Sequence, residues 1–287
     1  MPPIVVITRF NLAVRYRFQK LYGNVPKGKY LWLDEDYLKR RFELFEKYTV
    51  SSFAGQTDPD FRWIVLFHKD TPKQFIERIN DYKDRLPQFE PWYLDDDGSE
   101  RFADVLTDEF NKDYGDTGVA SVRVDNDDVV HSEFVETIRK SLDKCNETTI
   151  LSFKNGLQYD VRNRRCVRYS YVNNHFITLY SACKADEKIR CVYGFQHVDA
   201  DNIVDRGHKI VKKTRIPLWV EIVSETNCVN EIWTKPSKVL VPYEVKNEFP
   251  MLNLKWTSRI QWLFYTMINI PGAFFRMFID VFKLYLI

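Results

Sequence analysis

Strand-like and helix-like segments alternate along the first half of the chain, and this alternation limits the folds it can adopt. Short runs of β-branched and aromatic residues, typical of buried strands, are each followed by a longer segment with apolar residues at helical spacing. This order predicts a mainly parallel sheet with right-handed crossovers and flanking helices. The predicted strands are Ile4–Ile7, Arg62–Phe67, Pro91–Leu94 and Gly118–Val124, and the predicted helices are Tyr37–Ser52, Phe75–Leu86, Arg101–Tyr114 and a segment from Ser132, as its cap, to about Lys144.

The pattern becomes richer in strands after Glu147. Polar turns separate segments that carry many β-branched and aromatic residues. We see no internal repeat and no low-complexity linker, so residues 1–255 are expected to form one α/β domain with a β-richer second half. The strands predicted in this half are Ile150–Tyr159, Arg165–Tyr171, Phe176–Ser181 and Leu218–Val223.

Residues 256–287 differ from the rest of the chain because most of them are apolar. Pro271-Gly272 interrupts the run, and Arg276, Asp280 and Lys283 then form one polar stripe at helical spacing. The charges and the break argue against a plain membrane span and favour amphipathic helices. Two interpretations stay open: a helix lying in the plane of a membrane surface, and a helix packed on the protein or on a second subunit.

The net charge and the cysteine content limit which binding partners and which cellular compartment we expect. A net charge of +2 does not suit a long nucleic-acid partner, which needs a concentrated basic face. The 5 cysteines fall at irregular spacings without a CxxC pair, so free thiols are more plausible than a zinc site. Residues 1–6 lack the pattern of a signal peptide. We therefore expect a cytoplasmic protein, at most peripheral on the inner face of the cell membrane.

The strongest local feature is the sequence Asp125-Asn126-Asp127-Asp128, which directly follows the fourth predicted strand. In open α/β sheets, ligands bind outside the carboxyl ends of the strands. Clustered carboxylates repel one another unless a cation lies among them, and hard divalent ions prefer oxygen ligands and phosphate partners. The cluster therefore predicts a binding site for Mn²⁺ or Mg²⁺, and the bound ion would bridge the protein to a diphosphate. The alternative is an acidic turn in which Asp127 or Asp128 caps a helix.

Other phosphate-binding and nucleophile motifs are missing from the sequence. No GxGxxG, GxxxxGK[ST] or GxSxG pattern occurs, so a dinucleotide fold, a P-loop and a hydrolase nucleophile elbow are unsupported. A basic stretch formed by Lys209, Lys212, Lys213 and Arg215 is a flexible clamp over a diphosphate, a solvated basic loop, or a loop that meets anionic lipid.

Several segments together resemble the putative rhamnosyltransferase family of bacterial polysaccharide synthesis. They occur in the family's order within about residues 4–140, and the DNDD strand resembles that of GT-A glycosyltransferases, family-two-like in type. Resemblance in the second half is thinner and depends on Ile216–Trp219 and Asn227. The matching segments of the first half are Thr8–Asn11, Arg41–Glu46, Ser51–Trp63, Asp70–Pro72 and Val122–Phe134.

The resemblance implies a GT-A-like, Rossmann-like fold with a nucleotide-binding half at residues 1–145 and an acceptor half at residues 146–255. It implies a metal-dependent glycosyltransferase that moves a sugar from a nucleotide-sugar donor to a glycan or a lipid-linked glycan. The name of the family suggests rhamnose, but the residues themselves do not identify the sugar, the nucleotide base, the acceptor or the stereochemical outcome.

The resemblance also implies roles at matching positions. Thr8 and Arg9 would line the nucleotide pocket, and Asp70 would lie near the base or ribose. Alternatives from the residues alone are a surface salt bridge for Arg9 and a helix cap before Pro72 for Asp70. The DNDD segment would supply donor-binding residues at Arg123, Asp125 and Asn126 and metal ligands at Asp125 and Asp127, with Asp128 orienting the ligands or approaching the acceptor.

The catalytic base is expected in the second half, because an inverting transferase needs a carboxylate to take the acceptor proton. Asp199 and Asp201, after a predicted strand at Val192–Phe195, are the chosen candidates. Glu221 and Glu225 are the others. A late histidine often binds the metal in this fold, and His197 or His208 could do so, although a surface or core-edge histidine is the simpler interpretation. The family often has a histidine where this chain has Ser224, which weakens that expectation.

Two other functions fit the same sequence. A metal-dependent nucleotidyltransferase shares the scaffold and releases pyrophosphate, but such enzymes usually carry a glycine-rich loop near the N-terminus that this chain lacks. A non-catalytic carbohydrate-binding or membrane-surface protein could keep the fold without the chemistry.

Overall fold

A computed structural model of the protein describes residues 1–13, 31–95, 102–185, 187–199, 208–224 and 243–254. Within these ranges the α/β fold class is confirmed, with a mostly parallel sheet flanked by helices. The strands are β1 Ile4–Arg9, β2 Arg62–His68, β3 Phe89–Leu94, β4 Val119–Arg123, β5 Val129–Val130, β6 Thr149–Phe153, β7 Asn155–Asp160, β8 Arg165–Ser170, β9 Thr178–Ser181, β10 His208–Lys212 and β11 Trp219–Val223.

Five α-helices and several shorter turns complete the described chain. A π-helical segment, Phe45–Val50, connects the first two helices without a break. The α-helices are α1 Glu35–Leu44, α2 Ser51–Ala54, α3 Lys73–Arg85, α4 Phe102–Tyr114 and α5 Phe134–Leu142, and the 3₁₀ turns are Leu31–Leu33, Val192–Gly194, His197–Asp199 and Tyr243–Asn247.

The larger sheet has seven strands in the order β10-β6-β9-β4-β1-β2-β3. All of its strands are parallel except β9, which is antiparallel to both β4 and β6. The inner strands are apolar on both faces because helices cover both sides, as expected of parallel sheets. One face packs on α1, α3 and α5, and the other face packs on α4.

The smaller sheet has four strands in the order β5-β11-β7-β8. Strand β11 is antiparallel to β5 and parallel to β7, while β7 and β8 form a hairpin. Its core includes Tyr48 of the π-helical segment and Phe249, Leu252 and Leu254 of the last described segment. This sheet therefore extends the domain next to the end of β4.

The segment predicted as one strand at Ile150–Tyr159 is two strands, β6 and β7, in different sheets. Lys154 lies at the change of sheet. Its N–H donates to the carbonyl of Lys212 beside β6, at 2.9 Å, and its own carbonyl accepts from Tyr171 beside β8, at 3.0 Å. Apolar alternation cannot reveal this change, because a strand keeps its period of two when it passes from one sheet to another.

Two further local predictions were wrong. The predicted strand at Val192–Phe195 contains a 3₁₀ turn, in which the Gly194 N–H donates to the Cys191 carbonyl at 2.9 Å. Ser132 does not cap α5, which begins at Phe134. The side chain of Gln56 accepts instead from the Val135 N–H at 3.0 Å, so a distant residue satisfies this helix end.

The predicted amphipathic segment, residues 256–287, lies outside the described residues. Among the residues that are described, no helix is both long and apolar enough to cross a membrane.

Candidate functional site

The strand order creates a switch point between β1 and β4. From β1 the chain proceeds outward through β2 to β3, and β4 then pairs with the opposite edge of β1. Open α/β sheets bind ligands in the crevice outside the carboxyl ends of the strands at such a point. Arg9 ends β1, and Arg123, the partner of Ile7 in the ladder, ends β4. The predicted DNDD segment follows directly and therefore lies at this crevice.

Arg9 and Arg123 both lie beside the ring of Tyr193. The guanidinium carbon of each arginine lies 5.3 Å from the ring centroid, close enough for cation–π attraction. The Tyr193 hydroxyl is buried without a hydrogen-bond partner among the described residues. Burial raises the pKa of Tyr193 to about 12, so the hydroxyl keeps its proton and can donate it to a ligand. Sequence reasoning missed Tyr193, because a lone tyrosine in a short turn carries no motif.

Asp125 lies next to these side chains because it binds Arg123. Its Oδ1 accepts hydrogen bonds of 3.3 Å from Nε and Nη2 of Arg123, and 32% of its side chain remains exposed. Burial alone would raise the pKa of Asp125, but the positive charges of Arg123, His175 and Arg9 hold it well below its usual range. Asp125 is therefore a carboxylate with an open side at the crevice.

Asp128 is fully buried and held from two directions. Its Oδ1 accepts from the Ile222 N–H of β11 at 2.8 Å, and its Oδ2 lies 2.6 Å from Nε2 of His175. Although burial opposes the charge of His175, the carboxylate of Asp128 raises the pKa of that histidine. The contacts of Asp128 thus link the DNDD segment to both sheets.

Strand β9 brings His175 to the site. Because β9 is antiparallel to β4, the residues that precede β9 lie beside the residues that follow β4, and Arg123 donates its N–H to the carbonyl of Ile177 at 3.1 Å. Sequence reasoning missed His175, since its place depends on a strand pairing between distant segments.

Asp125, Asp128 and His175 form a group that could hold a metal ion. One ligand atom from each lies within 4.8 Å of the others. A turn explains the pairing of the two aspartates: the Asp128 N–H donates to the Asp125 carbonyl at 3.3 Å, and such a turn brings its first and fourth residues together. Two carboxylates and one imidazole suit Mn²⁺ better than Mg²⁺, which rarely takes nitrogen ligands.

His197 lies at the edge of this group. Its ring centroid is 6.1 Å from that of His175, and its Nδ1 is 2.6 Å from the carbonyl of Asn173. That contact places the proton on Nδ1 and leaves Nε2 with a lone pair, the arrangement found in metal-binding histidines. Burial, with the charges of Arg123 and His175, lowers the pKa of His197 to about 4. The ring is therefore neutral, and its role as a ligand stays a prediction.

Asp127 and Asn126 point toward α1 instead. Arg41 donates through Nη1 to Oδ2 of Asp127 at 3.1 Å and through Nη2 to Oδ1 of Asn126. Asn126 in turn donates to the carbonyl of Phe10 at 2.7 Å. Arg41 and Asp127 are only 7% and 5% exposed, so Oδ2 of Asp127 is held in a buried ion pair. The structure thus brings Asp128, and not Asp127, beside Asp125.

Thr8 and Asp70, which were also predicted to bind the sugar donor, do not belong to the cluster of Asp125, Asp128 and His175. Thr8 is fully buried, and its hydroxyl accepts from the Trp63 indole at 3.0 Å, so only its backbone could face a ligand. Asp70 follows β2 with an exposed carboxylate, 3.7 Å from Nδ1 of His68.

The candidate bases also differ in position. Asp199 is exposed at the end of the turn that begins at His197. Glu221 is buried and accepts from Gln158 at 2.7 Å, which leaves it little access to a substrate. Asp201, Glu225 and the side chain of His208 lie outside the described residues.

The model of the family described as "Putative rhamnosyl transferase" matches residues 3–235. No curated protein sequence matches the chain.

Similar solved structures include S. aureus TarS 1-349, with 10% identity and a TM-score of 0.44 over 77% of this chain and 60% of that one. A putative nucleotide-diphospho-sugar transferase from Desulfovibrio desulfuricans G20 has 9% identity and a TM-score of 0.36, over 79% of this chain and 84% of that one. The inositol-1-phosphate CTP transferase from T. maritima has 10% identity and a TM-score of 0.36, over 90% of this chain and 98% of that one. This chain thus spans less than two thirds of the TarS fragment, and these are remote likenesses of shape.

Proposed function

Because the chain belongs to the putative rhamnosyl transferase family, it is a glycosyltransferase, and we propose that its donor is a nucleotide sugar bound in the crevice between β1 and β4. One observation carries this proposal: Arg9, Arg123 and the ionised Asp125 converge at the switch point of the parallel sheet. This is the place where a fold of this kind binds a ligand. The family name makes rhamnose the first sugar to test.

The two arginines are suited to the diphosphate of the donor. Guanidinium groups form strong, charge-assisted hydrogen bonds with phosphate oxygens. Tyr193, which lies beside both arginines, offers a buried hydroxyl that can donate a further hydrogen bond. Contact with the ring restricts both long side chains, so less conformational entropy is lost when the diphosphate binds.

The three side chains Asp125, Asp128 and His175 fit a divalent cation, and His197 is a candidate fourth ligand. We propose Mn²⁺ or Mg²⁺ at this place. Such an ion supplies positive charge that stabilises the departing nucleoside diphosphate. Asp128 is oriented for this role by the Ile222 N–H, and Arg123 orients Asp125.

We propose Asp199 or Asp201 as the base that takes the proton of the acceptor hydroxyl. Asp199 supports this choice because it is an exposed carboxylate two residues from His197, at the edge of the donor site. The acceptor would be a glycan or a lipid-linked glycan, bound through residues 146–255. A lipid-linked acceptor would place a cytoplasmic enzyme at the inner face of the cell membrane, with residues 256–287 at the surface.

The test is hydrolysis or transfer of dTDP-rhamnose and other nucleotide sugars, with Mn²⁺, Mg²⁺ or EDTA. Replacing Asp125 by Asn should reduce turnover by about 100-fold or more, the usual loss when a group that stabilises transition-state charge is removed. Asp116→Asn, an exposed carboxylate beyond α4, is the matched control and should leave turnover unchanged.

The product of the same assay separates the alternatives. A transferase of this kind releases a nucleoside diphosphate, whereas a nucleotidyltransferase releases pyrophosphate. Full turnover of Asp125→Asn, or turnover in EDTA equal to that in Mn²⁺, would contradict the proposed site. A thermal-shift screen of nucleoside diphosphates with Mn²⁺ would identify the base, since binding to the folded state stabilises it.

A further inference from the structure

The segment between β8 and β9 brings an exposed tyrosine to the same edge of the larger sheet as the donor crevice. The N–H of Tyr171 donates to the carbonyl of Lys154 at 3.0 Å, and Lys154 directly follows β6. Strand β6 is parallel to β4, because both are antiparallel to β9, which lies between them. Since neighbouring strands lie about 4.8 Å apart, the carboxyl ends of β6 and β4 are separated by roughly 10 Å. Tyr171 is therefore close to the crevice at the end of β4.

The ring of Tyr171 is presented on a rigid support. It is 39% exposed and stacks on the ring of Tyr169 with 6.3 Å between centroids, and Tyr169 contacts the buried Trp219 edge-on at 5.8 Å. Asn174 is buried and fixes the backbone, since its Nδ2 donates to the carbonyls of Tyr171 at 2.8 Å and Phe153 at 3.0 Å. We call the stacked pair Tyr169 and Tyr171 the tyrosine platform. A ring held in this way loses little conformational entropy when a ligand binds.

Asn173 links the tyrosine platform to the candidate base. Its Nδ2 donates to the carbonyl of Val198 at 3.5 Å, and its own carbonyl lies 2.6 Å from Nδ1 of His197. Val198 is 51% exposed and directly precedes the exposed Asp199. Apolar surface from Tyr171 and Val198 therefore adjoins the carboxylate that we propose as the base.

A sugar ring is the ligand that matches this combination. One face of a sugar ring consists of C–H groups, which pack on the flat apolar face of a tyrosine, while its hydroxyls point outward to polar groups. Tyrosine supplies such contact area at a low entropic cost. The phosphates of the donor are less suited to this place, because the carboxylate of Asp199 repels them. The acceptor, in contrast, must contact the base that takes its proton.

We propose that the tyrosine platform binds a sugar unit of the acceptor, next to the unit whose hydroxyl receives the transferred sugar. This inference rests on the proposed function, because it concerns the acceptor of that reaction. It makes the acceptor a glycan of at least two sugar units at the site, one beside Asp199 and Val198 and the next on Tyr171.

The experiment measures glycan binding by the full chain in the presence of Mn²⁺ and dTDP. An array of bacterial oligosaccharides identifies the tightest ligand of the wild type, and calorimetry with that oligosaccharide gives the Kd. Tyr171→Ala should bind about 10-fold more weakly, the scale of loss when an anchoring aromatic side chain is truncated. Tyr171→Phe keeps the ring and should bind as the wild type does. The matched control is Tyr93→Ala, which removes a tyrosine of similar exposure, 38%, from the edge strand β3 and should also bind normally.

Each other outcome overturns the inference. Absence of glycan binding by the wild type, equal binding by Tyr171→Ala, an equal loss in Tyr93→Ala, or a loss in Tyr171→Phe as large as that in Tyr171→Ala would show that the tyrosine platform does not bind an acceptor sugar. Thermal shifts with Mn²⁺ and dTDP are measured on the same proteins. A wild type that binds the nucleotide while its glycan binding ignores Tyr171 contradicts this inference alone, whereas a wild type that binds no nucleoside diphosphate contradicts the proposed function.

Discussion

Arg41 donates from Nη1 to Oδ2 of Asp127 at 3.1 Å, and both side chains are almost completely buried. This contact links α1 to the turn that follows β4. It gives Asp127 a structural partner and leaves Asp125 and Asp128 together on the other side of the turn. The acidic segment is therefore divided: Asn126 and Asp127 are fixed to α1, whereas Asp125 and Asp128 lie together near His175.

Breaking this ion pair should destabilise the fold. Replacing Arg41 by Met leaves the Asp127 carboxylate buried without its cation, and loss of one partner of a buried pair costs about 3–5 kcal/mol. The double variant Arg41→Met/Asp127→Leu removes both charges and should recover part of that loss. Chemical denaturation measures the free energy of unfolding of all three proteins. A single variant as stable as wild type would show that the pair does not form.

Replacing His175 by Ala should weaken Mn²⁺ binding. The change removes one of the three proposed ligands, and loss even of a residue that only orients a ligand typically costs about 10–100-fold in metal affinity. Calorimetry or electron paramagnetic resonance of Mn²⁺ gives the affinity. His131→Ala is the control, because His131 is also buried and lies 3.0 Å from a carboxylate oxygen, that of Glu248. An equal loss in both variants would argue against a role for His175 at the metal.

Gly156 should not tolerate a side chain. A Cβ at this position would lie 2.2 Å from the ring of Trp219, which is fully buried and cannot move aside. Overpacking of this kind typically costs about 1–3 kcal/mol, so Gly156→Ala should unfold at a lower temperature. A Cβ at Gly194 would meet nothing within 4 Å, and Gly194→Ala should change stability little. Equal melting temperatures for the two variants would contradict the close contact between Gly156 of β7 and the Trp219 ring of β11.

The cysteines should differ in reactivity. Burial raises the pKa of Cys191 to about 12 and also raises that of Cys166, so neither forms the reactive thiolate in the folded protein. Cys183 is exposed. Brief alkylation at pH 8 followed by mass spectrometry should label Cys183 and spare the other two, and prior denaturation should make all three react. Rapid labelling of Cys166 or Cys191 in native protein would contradict their burial.

The first half of the fold follows from local patterns in the sequence. Four strands with alternating helices correspond to β1–β4, which are four of the six parallel strands of the larger sheet, and the DNDD segment was recognisable because it follows one of these strands. Each of these features depends on residues close together in the chain, such as the apolar period of a strand or a turn of polar residues.

The rest of the site depends on contacts between distant segments. His175 reaches Asp128 only because β9 enters the sheet antiparallel to β4. Tyr193 reaches Arg9 from a turn that the sequence suggested was a strand. The DNDD motif alone did not indicate which aspartates lie together in the crevice. That depends on Arg41, more than eighty residues earlier in the chain, which binds Asp127.

The most direct test of the central claim is a crystal structure of the protein with Mn²⁺ and a nucleoside diphosphate, with anomalous scattering used to locate the metal. The proposed site predicts a manganese peak in coordination distance of Asp125, Asp128 and His175, with the diphosphate between the metal and the two arginines at Arg9 and Arg123. A peak held by Asp127 after it has left Arg41, or a diphosphate bound elsewhere with Asp125 turned away from it, would contradict the claim.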